Sequence, residues 1–193
     1  MINRLYLVGS GDYGRCIKSY IKKDNLVNSV HFVDDKIKLN IKNFLKKKNK
    51  IYYNLTISHV AIRENLYLKF TKKKFIYKSL IFPNNNIYSN IIGDGCILEP
   101  GIIISNNVLI GKGNFIFFGS SIAHNVNIGN FCNIGTNVAI SGNTKIGNKV
   151  IIGGNSFISN NLEICDNVTI SPASVVLKSI KKPGIYLNNT IIR

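Results

Sequence analysis

The sequence predicts a two-part chain: a small α/β domain over 1–82, followed by a parallel β-helix over 83–193. Three observations carry that reading. An aliphatic residue recurs at every sixth position from 92 to 176, strand-like and helix-like segments alternate before residue 82, and "FPNNN" at 82–86 interrupts both patterns.

The count of six is the strongest of the three. Positions 92, 98, 104, 110, 116, 122, 128, 134, 140, 146, 152, 158, 164, 170 and 176 read Ile, Leu, then Ile at every place until Val176. A period of six belongs neither to a helix nor to a long strand; it marks a β-helix in which each hexad supplies a short strand and a turn. Gly follows the key aliphatic at 93, 111, 129, 135, 147 and 153, where a tight bend or a positive φ is expected. Asn or Asp crowds the next place (Asp94, Asn106, Asn130, Asn148, Asn160, Asp166), as turn residues do. Smaller inward candidates lie four places after the key: Val108, Val126, Cys132, Val138, Thr144, Val150 and Val168. With three hexads to a coil, 92–175 makes between four and five coils, a prism about 20 Å tall at ~4.8 Å between stacked strands. Stability in such a solenoid sums over neighbouring coils.

The first part reads differently. "RLYLV" (4–8) is a buried strand, followed by "GSGDYG" (9–14) and an amphipathic helix to about Lys23. "VHFV" (30–33) is a second strand and ends at Asp34 and Asp35. "IYYNLTI" (51–57) is a third strand, "AIRENLYLKFTKK" (61–73) a helix, and "KFIYKSLI" (74–81) a last strand. The alternation implies a small parallel sheet, about half of a doubly wound, Rossmann-like domain.

Composition excludes several classes. The net charge of +16 is concentrated early: residues 1–86 hold 18 Lys/Arg against 5 Asp/Glu, residues 87–193 hold 7 against 4. Such an excess suits nucleic acid, an anionic membrane surface or acidic small molecules. No helix-turn-helix, RNP-like or zinc-finger pattern accompanies it, so no nucleic-acid partner is expected. "KKKNK" (46–50) and "KKK" (72–74) read as solvated faces. No apolar run approaches a membrane span, and Gly9 and Gly11 interrupt the segment a secretory signal would need. Cys16, Cys96, Cys132 and Cys165 are scattered, as reduced thiols are. A cytoplasmic chain without membrane insertion is expected.

Two places carry chemistry. Gly9, Gly11 and Gly14 form GxGxxG between a strand and a helix, a context that suits a phosphate held by backbone N–H groups and also serves plain tight turns. Asp34 and Asp35 end the second strand, where carboxylates accept hydrogen bonds from a ribose or base; the plain alternative is a polar strand end. His124, in "IAHNVNIGNFCNIG" (122–135), occupies the third place of its hexad, a turn position open to solvent. A zinc site of the carbonic-anhydrase kind needs three histidines, and His31 and His59 lie in the first part, so no metal is expected. A solvent-facing turn histidine without a role is the plain alternative, a Cys132–His124 nucleophilic pair is conceivable, and a lone general base is the remaining reading.

The stretches "LVGSGDYGR" (7–15), "FVDD" (32–35), "AIREN" (61–65) and "GSSIAHNVNIGNFCNIGTNVAISGNTKIG" (119–147) run in this order along nearly the whole chain. In them the chain resembles the PglD/NeuD-type sugar acyltransferases, a branch of the left-handed β-helix (hexapeptide) acyltransferases. The resemblance implies a left-handed solenoid and a homotrimer with active sites between adjacent β-helices. It also implies acetyl-CoA as acyl donor and a βαβ domain for a nucleotide-linked amino sugar. It makes His124 the general base toward the acceptor amine and places the Gly142 amide at the thioester. Gly9, Ser10 and Gly11 would face the acceptor's phosphates, with Tyr13 in the same substrate-binding loop and Asp34 and Asp35 at its base.

Three departures accompany the match. Asn125 stands where relatives often carry Glu or Asp after the histidine; an amide fixes a tautomer but does not stabilise imidazolium as a carboxylate does. It is counted with His124 and Gly142 in the catalytic set. Asn133 stands where some relatives have a second histidine that helps hold substrate. The tail "GIYLNNTIIR" (184–193) lacks the G-x-P-A-K ending found near coenzyme A. The implied activity is N-acetylation of a nucleotide-linked 4-amino-4,6-dideoxy sugar for surface glycans. An O-acetyltransferase of sialic acid or a related sugar, and a non-catalytic trimeric nucleotide-sugar-binding protein, are the alternatives.

Overall fold

The computed structural model describes residues 2–88 and 91–193. Its first part contains β1 (Leu5–Val8), α1 (Asp12–Lys23), β2 (Val30–Val33), α2 (Ile41–Phe44), β3 (Ile51–Leu55), α3 (Val60–Phe70) and β4 (Phe75–Tyr77). The four strands pair in parallel in the order β2-β1-β3-β4. β1 is buried along its whole length, as its unbroken apolar run requires. α1 buries Gly14, Ile17 and Ile21, one stripe at helical spacing, with Asp12 in its first turn and Lys22 and Lys23 in its last to suit the helix dipole. The single turn α2, absent from the pattern reading, is capped by Asn40, whose Oδ1 accepts from Asn43 N at 2.8 Å. Chain order reverses between β1 and β3, and a parallel sheet opens a crevice at such a switch point.

The strand expected over 74–81 is two strands. Lys78 N still donates to Tyr53 O of the sheet at 2.8 Å, whereas Ser79 Oγ donates to Gly93 O at 2.9 Å. Leu80–Ile81 then pairs with Ile97–Leu98 as the first rung of the solenoid. Residues 82–85 form its first corner, with Phe82 buried.

Three parallel walls follow. The first holds Leu80–Ile81, Ile97–Leu98, Phe115–Ile116, Asn133–Ile134, Ile151–Ile152, Val168–Ile170 and Gly184–Leu187; Thr190–Ile191 closes it antiparallel. The second holds Asn86–Ile87, Ile103–Ile104, Ser121–Ile122, Ala139–Ile140, Phe157–Ile158 and Val175–Val176. The third holds Ile91–Ile92, Leu109–Ile110, Asn127–Ile128, Lys145–Ile146 and Glu163–Ile164. The stack therefore reaches seven parallel rungs on the first wall and six on the second, more than the hexad count implied, and stands roughly 29 Å tall at ~4.8 Å per rung. The count missed the first coil because its step is short: Ile81 opposes Leu98 and Ile87 opposes Ile104, seventeen residues on, where Leu98 opposes Ile116 at eighteen.

The inward column of isoleucines, with Val108, Val126, Cys132, Val138, Val150 and Val168, forms one continuous core. Thr144 is buried with it. The glycines after the key aliphatic do not take positive φ. They are there because the coils leave no room: a Cβ on Gly111 would lie 2.6 Å from Gly129 O, and one on Gly129 2.6 Å from Gly147 O. Positive φ falls at the third place after the key aliphatic, on Gly95, Gly101, Gly113 and Gly119 and otherwise most often on asparagine, the residue besides glycine that best tolerates it.

The α/β part sits on the first wall. Leu5, Leu7, Ile17 and Ile21 pack with Leu80, Phe82, Ile97 and Phe115 in one cluster. Phe131, at the corner between the third and first walls, joins the other core of the sheet with Tyr53, Phe70 and Tyr77.

Candidate active site

At the switch point, β1 runs into the glycine loop. Gly9 has φ +109, and a Cβ there would lie 2.9 Å from Ile57 Cγ1; a Cβ on Gly14 would overlap the Gly9 carbonyl. Gly11, the α1 N-cap, has open space around it. The loop is thus pressed against β3 on one side and open on the other. A cleft of about 510 Å³ lies there, lined by Gly9, Gly11, Tyr13, Asp34, Thr56 and His59 among others. Asp34 Oδ2 accepts from Ser10 N at 2.8 Å and Ser10 Oγ at 2.9 Å, and Oδ1 from Lys36 N at 3.1 Å. The Ser10 amide holds its carboxyl below the usual range. Asp35 separates from it: its Oδ1 accepts from Ile41 N at 3.0 Å, outside the cleft lining. Tyr13 leans on Phe115 and Phe117 of the first wall, with ring centroids 5.3 and 5.5 Å away. Burial, then the Glu99 charge, pushes its phenol up.

Two residues at this seam escaped the pattern reading. Arg63 is fully buried; Nε donates to Gly113 O at 3.0 Å and Nη1 to Ile57 O at 2.8 Å. Nη2 donates to Asn133 Oδ1 at 2.7 Å and its guanidinium lies 3.8 Å from the Phe115 ring centroid. Desolvation lowers its pKa to about 10. Asn133 Nδ2 donates to Ser58 O at 2.7 Å, so both ends of that amide are engaged where the cleft meets the first wall. The signal was present: Arg63 shares the buried stripe of α3 with Leu66 and Phe70, three and seven residues on, where an apolar residue belongs.

Glu99 is the second. It is 2% exposed and accepts from Phe118 N at 3.3 Å. Burial raises its pKa above the ordinary 4.5, so the folded state holds this proton more tightly than the unfolded one. Its contribution to stability is therefore complete below that ordinary value and is lost as pH rises through the raised one. Glu99→Gln is expected to be more stable than the parent at pH 7 and equal to it below about pH 4, as read by urea denaturation at both pH values. Equal stability at pH 7 would remove Glu99 from the pH dependence.

The second group lies at the corner between the second and third walls. His124 follows Ser121–Ile122, and Gly142 stands one coil on, after Ala139–Ile140. A Cβ on Gly142 would lie 2.7 Å from His124 Cε1 and 2.8 Å from Nε2, so the imidazole occupies the space a side chain would take. Asn125 Nδ2 is 3.2 Å from His124 Nδ1. His124 is exposed, and neither its Nε2 nor the Gly142 N–H has a partner among the described residues. Gly142→Ala is expected to fold normally and to lose at least about tenfold in any activity that uses the ring, because the imidazole must swing aside; unchanged activity would show that the ring position does not matter. Cys132 is not beside this histidine. Its thiol lies inside the solenoid, donates to Gly147 O at 3.1 Å, and is pushed by burial up to about 12.

The structure thus brings Gly9, Ser10, Gly11, Tyr13 and Asp34 together, with Asn133 beside them, and separately His124, Asn125 and Gly142. In a triangular prism the corner between the second and third walls is opposite the first wall, so one chain holds the two groups on opposite sides. They share a level: His124 belongs to the coil that begins with Phe115–Ile116, against which Tyr13 packs.

An α/β half-sheet seated on one wall of a left-handed parallel β-helix is the fold of the hexapeptide sugar acyltransferases. Among solved structures, the acetyltransferase domain of PglB from Neisseria gonorrhoeae matches with a TM-score of 0.88, over 95% of this chain and 95% of its own, at 18% identity. PerB from Caulobacter crescentus, in complex with CoA and GDP-perosamine, matches with a TM-score of 0.85 over 96% and 94% at 16% identity. WeeI from Acinetobacter baumannii matches with a TM-score of 0.65 over 99% of each chain at 18% identity. At these identities the likeness is one of fold. No protein-family model matches the chain, and no curated protein does.

Proposed function

We propose that the chain is an acetyl-CoA-dependent N-acetyltransferase acting on the 4-amino group of a nucleotide-linked 4-amino-4,6-dideoxy sugar, a step toward surface glycans. The observation that carries the reading is the corner at His124, where an exposed imidazole lies against Gly142 and its Nε2 has no partner among the described residues. The neutral amine attacks the thioester carbon, and the C=O pair moves onto oxygen, where the Gly142 N–H donates to it. The nitrogen, now cationic, gives a proton to His124 Nε2. Collapse restores the carbonyl and breaks the C–S bond; the leaving thiolate takes the proton from the imidazolium. Products are the amide and free CoA.

The ligands of the neighbours support this. The PglB domain has been solved with acetyl coenzyme A, and PerB with CoA and GDP-perosamine. The cleft at the switch point, with its open face at Gly11, is where the nucleotide belongs.

A complete site then needs a second copy, because one chain keeps the cleft and His124 apart. A three-fold axis parallel to the prism preserves height and sets the neighbour's corner at the level of Tyr13. The second wall supplies a surface for such a contact: Ile103, Phe157 and Val175 stand 48%, 39% and 48% exposed in one outward row. We read the assembly as a closed homotrimer working in the cytoplasm. No helix among the described residues is long and apolar enough to cross a membrane.

The test is thiol release from acetyl-CoA with UDP-, dTDP- and GDP-linked 4-amino-6-deoxy sugars beside their 4-hydroxy counterparts. Turnover with an amine and none with its hydroxyl partner is expected. Turnover confined to hydroxyl acceptors, or none at all while nucleotide sugars still bind, would overturn the assignment.

A further inference from the structure

We infer that the stacked amides of Asn107, Asn125 and Asn143 set which ring nitrogen of His124 carries the proton, so that ladder polarity and imidazole tautomer are a single variable; the catalytic part of this rests on His124 being the base proposed above. The three asparagines lie eighteen residues apart at one corner, all with left-handed backbone at φ 57, 59 and 59. Asn107 Nδ2 donates to Asn125 Oδ1 at 3.3 Å, and Asn125 Nδ2 donates to Asn143 Oδ1 at 2.9 Å. The same Asn125 Nδ2 lies 3.2 Å from His124 Nδ1.

In this polarity Nδ1 accepts, so the neutral ring keeps its proton on Nε2. That tautomer donates at the free nitrogen and takes no proton there. A base at Nε2 requires Nδ1–H, and hence an acceptor beside Nδ1, which means Asn125 Oδ1. Turning Asn125 over alone would set its Nδ2 against the Nδ2 of Asn107 and its Oδ1 against the Oδ1 of Asn143, exchanging two hydrogen bonds for two like-facing contacts. Turning all three over restores both bonds. Asn107 Oδ1 and Asn143 Nδ2 have no partners among the described residues. The reversed ladder also suits the imidazolium formed after proton transfer, whose Nδ1–H then donates to Asn125 Oδ1. Asn107 and Asn143 are positioning residues that act through Asn125.

The test uses Asn107→Asp and Asn143→Asp. Both are isosteric, add the same charge, and stand one rung either side of Asn125. A carboxylate only accepts. At 107 it draws the Asn125 amino group toward itself and turns Oδ1 to the ring, giving Nδ1–H; at 143 it holds the amino group where it now lies, giving Nε2–H. Long-range 1H–15N correlation spectra, taken above the imidazole titration and assigned with His124→Ala, report the tautomer without substrate. Opposite tautomers in the two variants are expected, with kcat for Asn143→Asp at least about tenfold below that of Asn107→Asp. The same tautomer in both overturns the inference. Should either variant fail to fold, Asn125→Asp serves: Nδ1–H is expected, and Nε2–H overturns it. Opposite tautomers with equal kcat uphold the ladder and overturn His124 as the base, which keeps the two failures distinct.

Discussion

Arg63→Ala is expected to cost at least about 4 kcal/mol of stability, measured by chemical denaturation, which places it among the exceptional single substitutions. The guanidinium is fully buried and its donors reach the carbonyls of Ile57, Ser58, Gly113, Phe131 and Cys132 as well as Asn133 Oδ1. Alanine leaves a cavity over Phe115 and strips buried acceptors, each roughly 1–3 kcal/mol to leave unmet. Burying the cation is itself unfavourable, as its lowered pKa shows, so the gain comes from how completely its donors are used. Lysine is not expected to rescue: one ammonium does not reach both the α/β side, at Ile57 and Ser58, and the solenoid side, at Gly113 and Asn133. A loss below about 1 kcal/mol in the alanine variant would show that water or a shift of α3 replaces the network.

His124→Ala is expected to lower kcat for acetyl transfer at least about 100-fold, some 2.7 kcal/mol of activation free energy, with KM for both substrates little changed. The reason is geometric. The ring is the titratable group that lies against Gly142, and its Nε2 has no partner among the described residues. Because the side chain is exposed, its removal is expected to leave the denaturation midpoint where it was. Activity that survives the substitution would reassign proton removal to water or to the acceptor itself.

Much of this was legible in the chain. The hexad count located the rungs from Ile91–Ile92 to Val175–Val176, because an inward residue every six positions is a repeated demand of one geometry. The first coil was hidden by its seventeen-residue step, and the split of 74–81 by a wall strand that follows a sheet strand after only Lys78 and Ser79. The glycine column was visible but its cause was not. Crowding between coils is a contact eighteen residues away, and a local turn preference says nothing of it. For the site, GxGxxG and His124 were found by local pattern. What each touches was not: Asp34 and Asp35 are neighbours in sequence, yet one closes on Ser10 and the other on Ile41. Arg63 and Glu99 were passed over because their burial is set by the docking of one part on the other.

That the cleft and the His124 corner stand on opposite sides of one prism has a meaning in mixtures. If each site takes one half from each of two copies, a chain lacking His124 still offers a good cleft, and a chain with a ruined cleft still offers a good corner. Two inactive variants, His124→Ala and a cleft variant such as Asp34→Ala, would then recover activity when unfolded and refolded together. Every mixed closed ring of three contains one interface where the sound halves meet. The recovered turnover would count mixed rings, and dilution far enough to separate the copies would extinguish it.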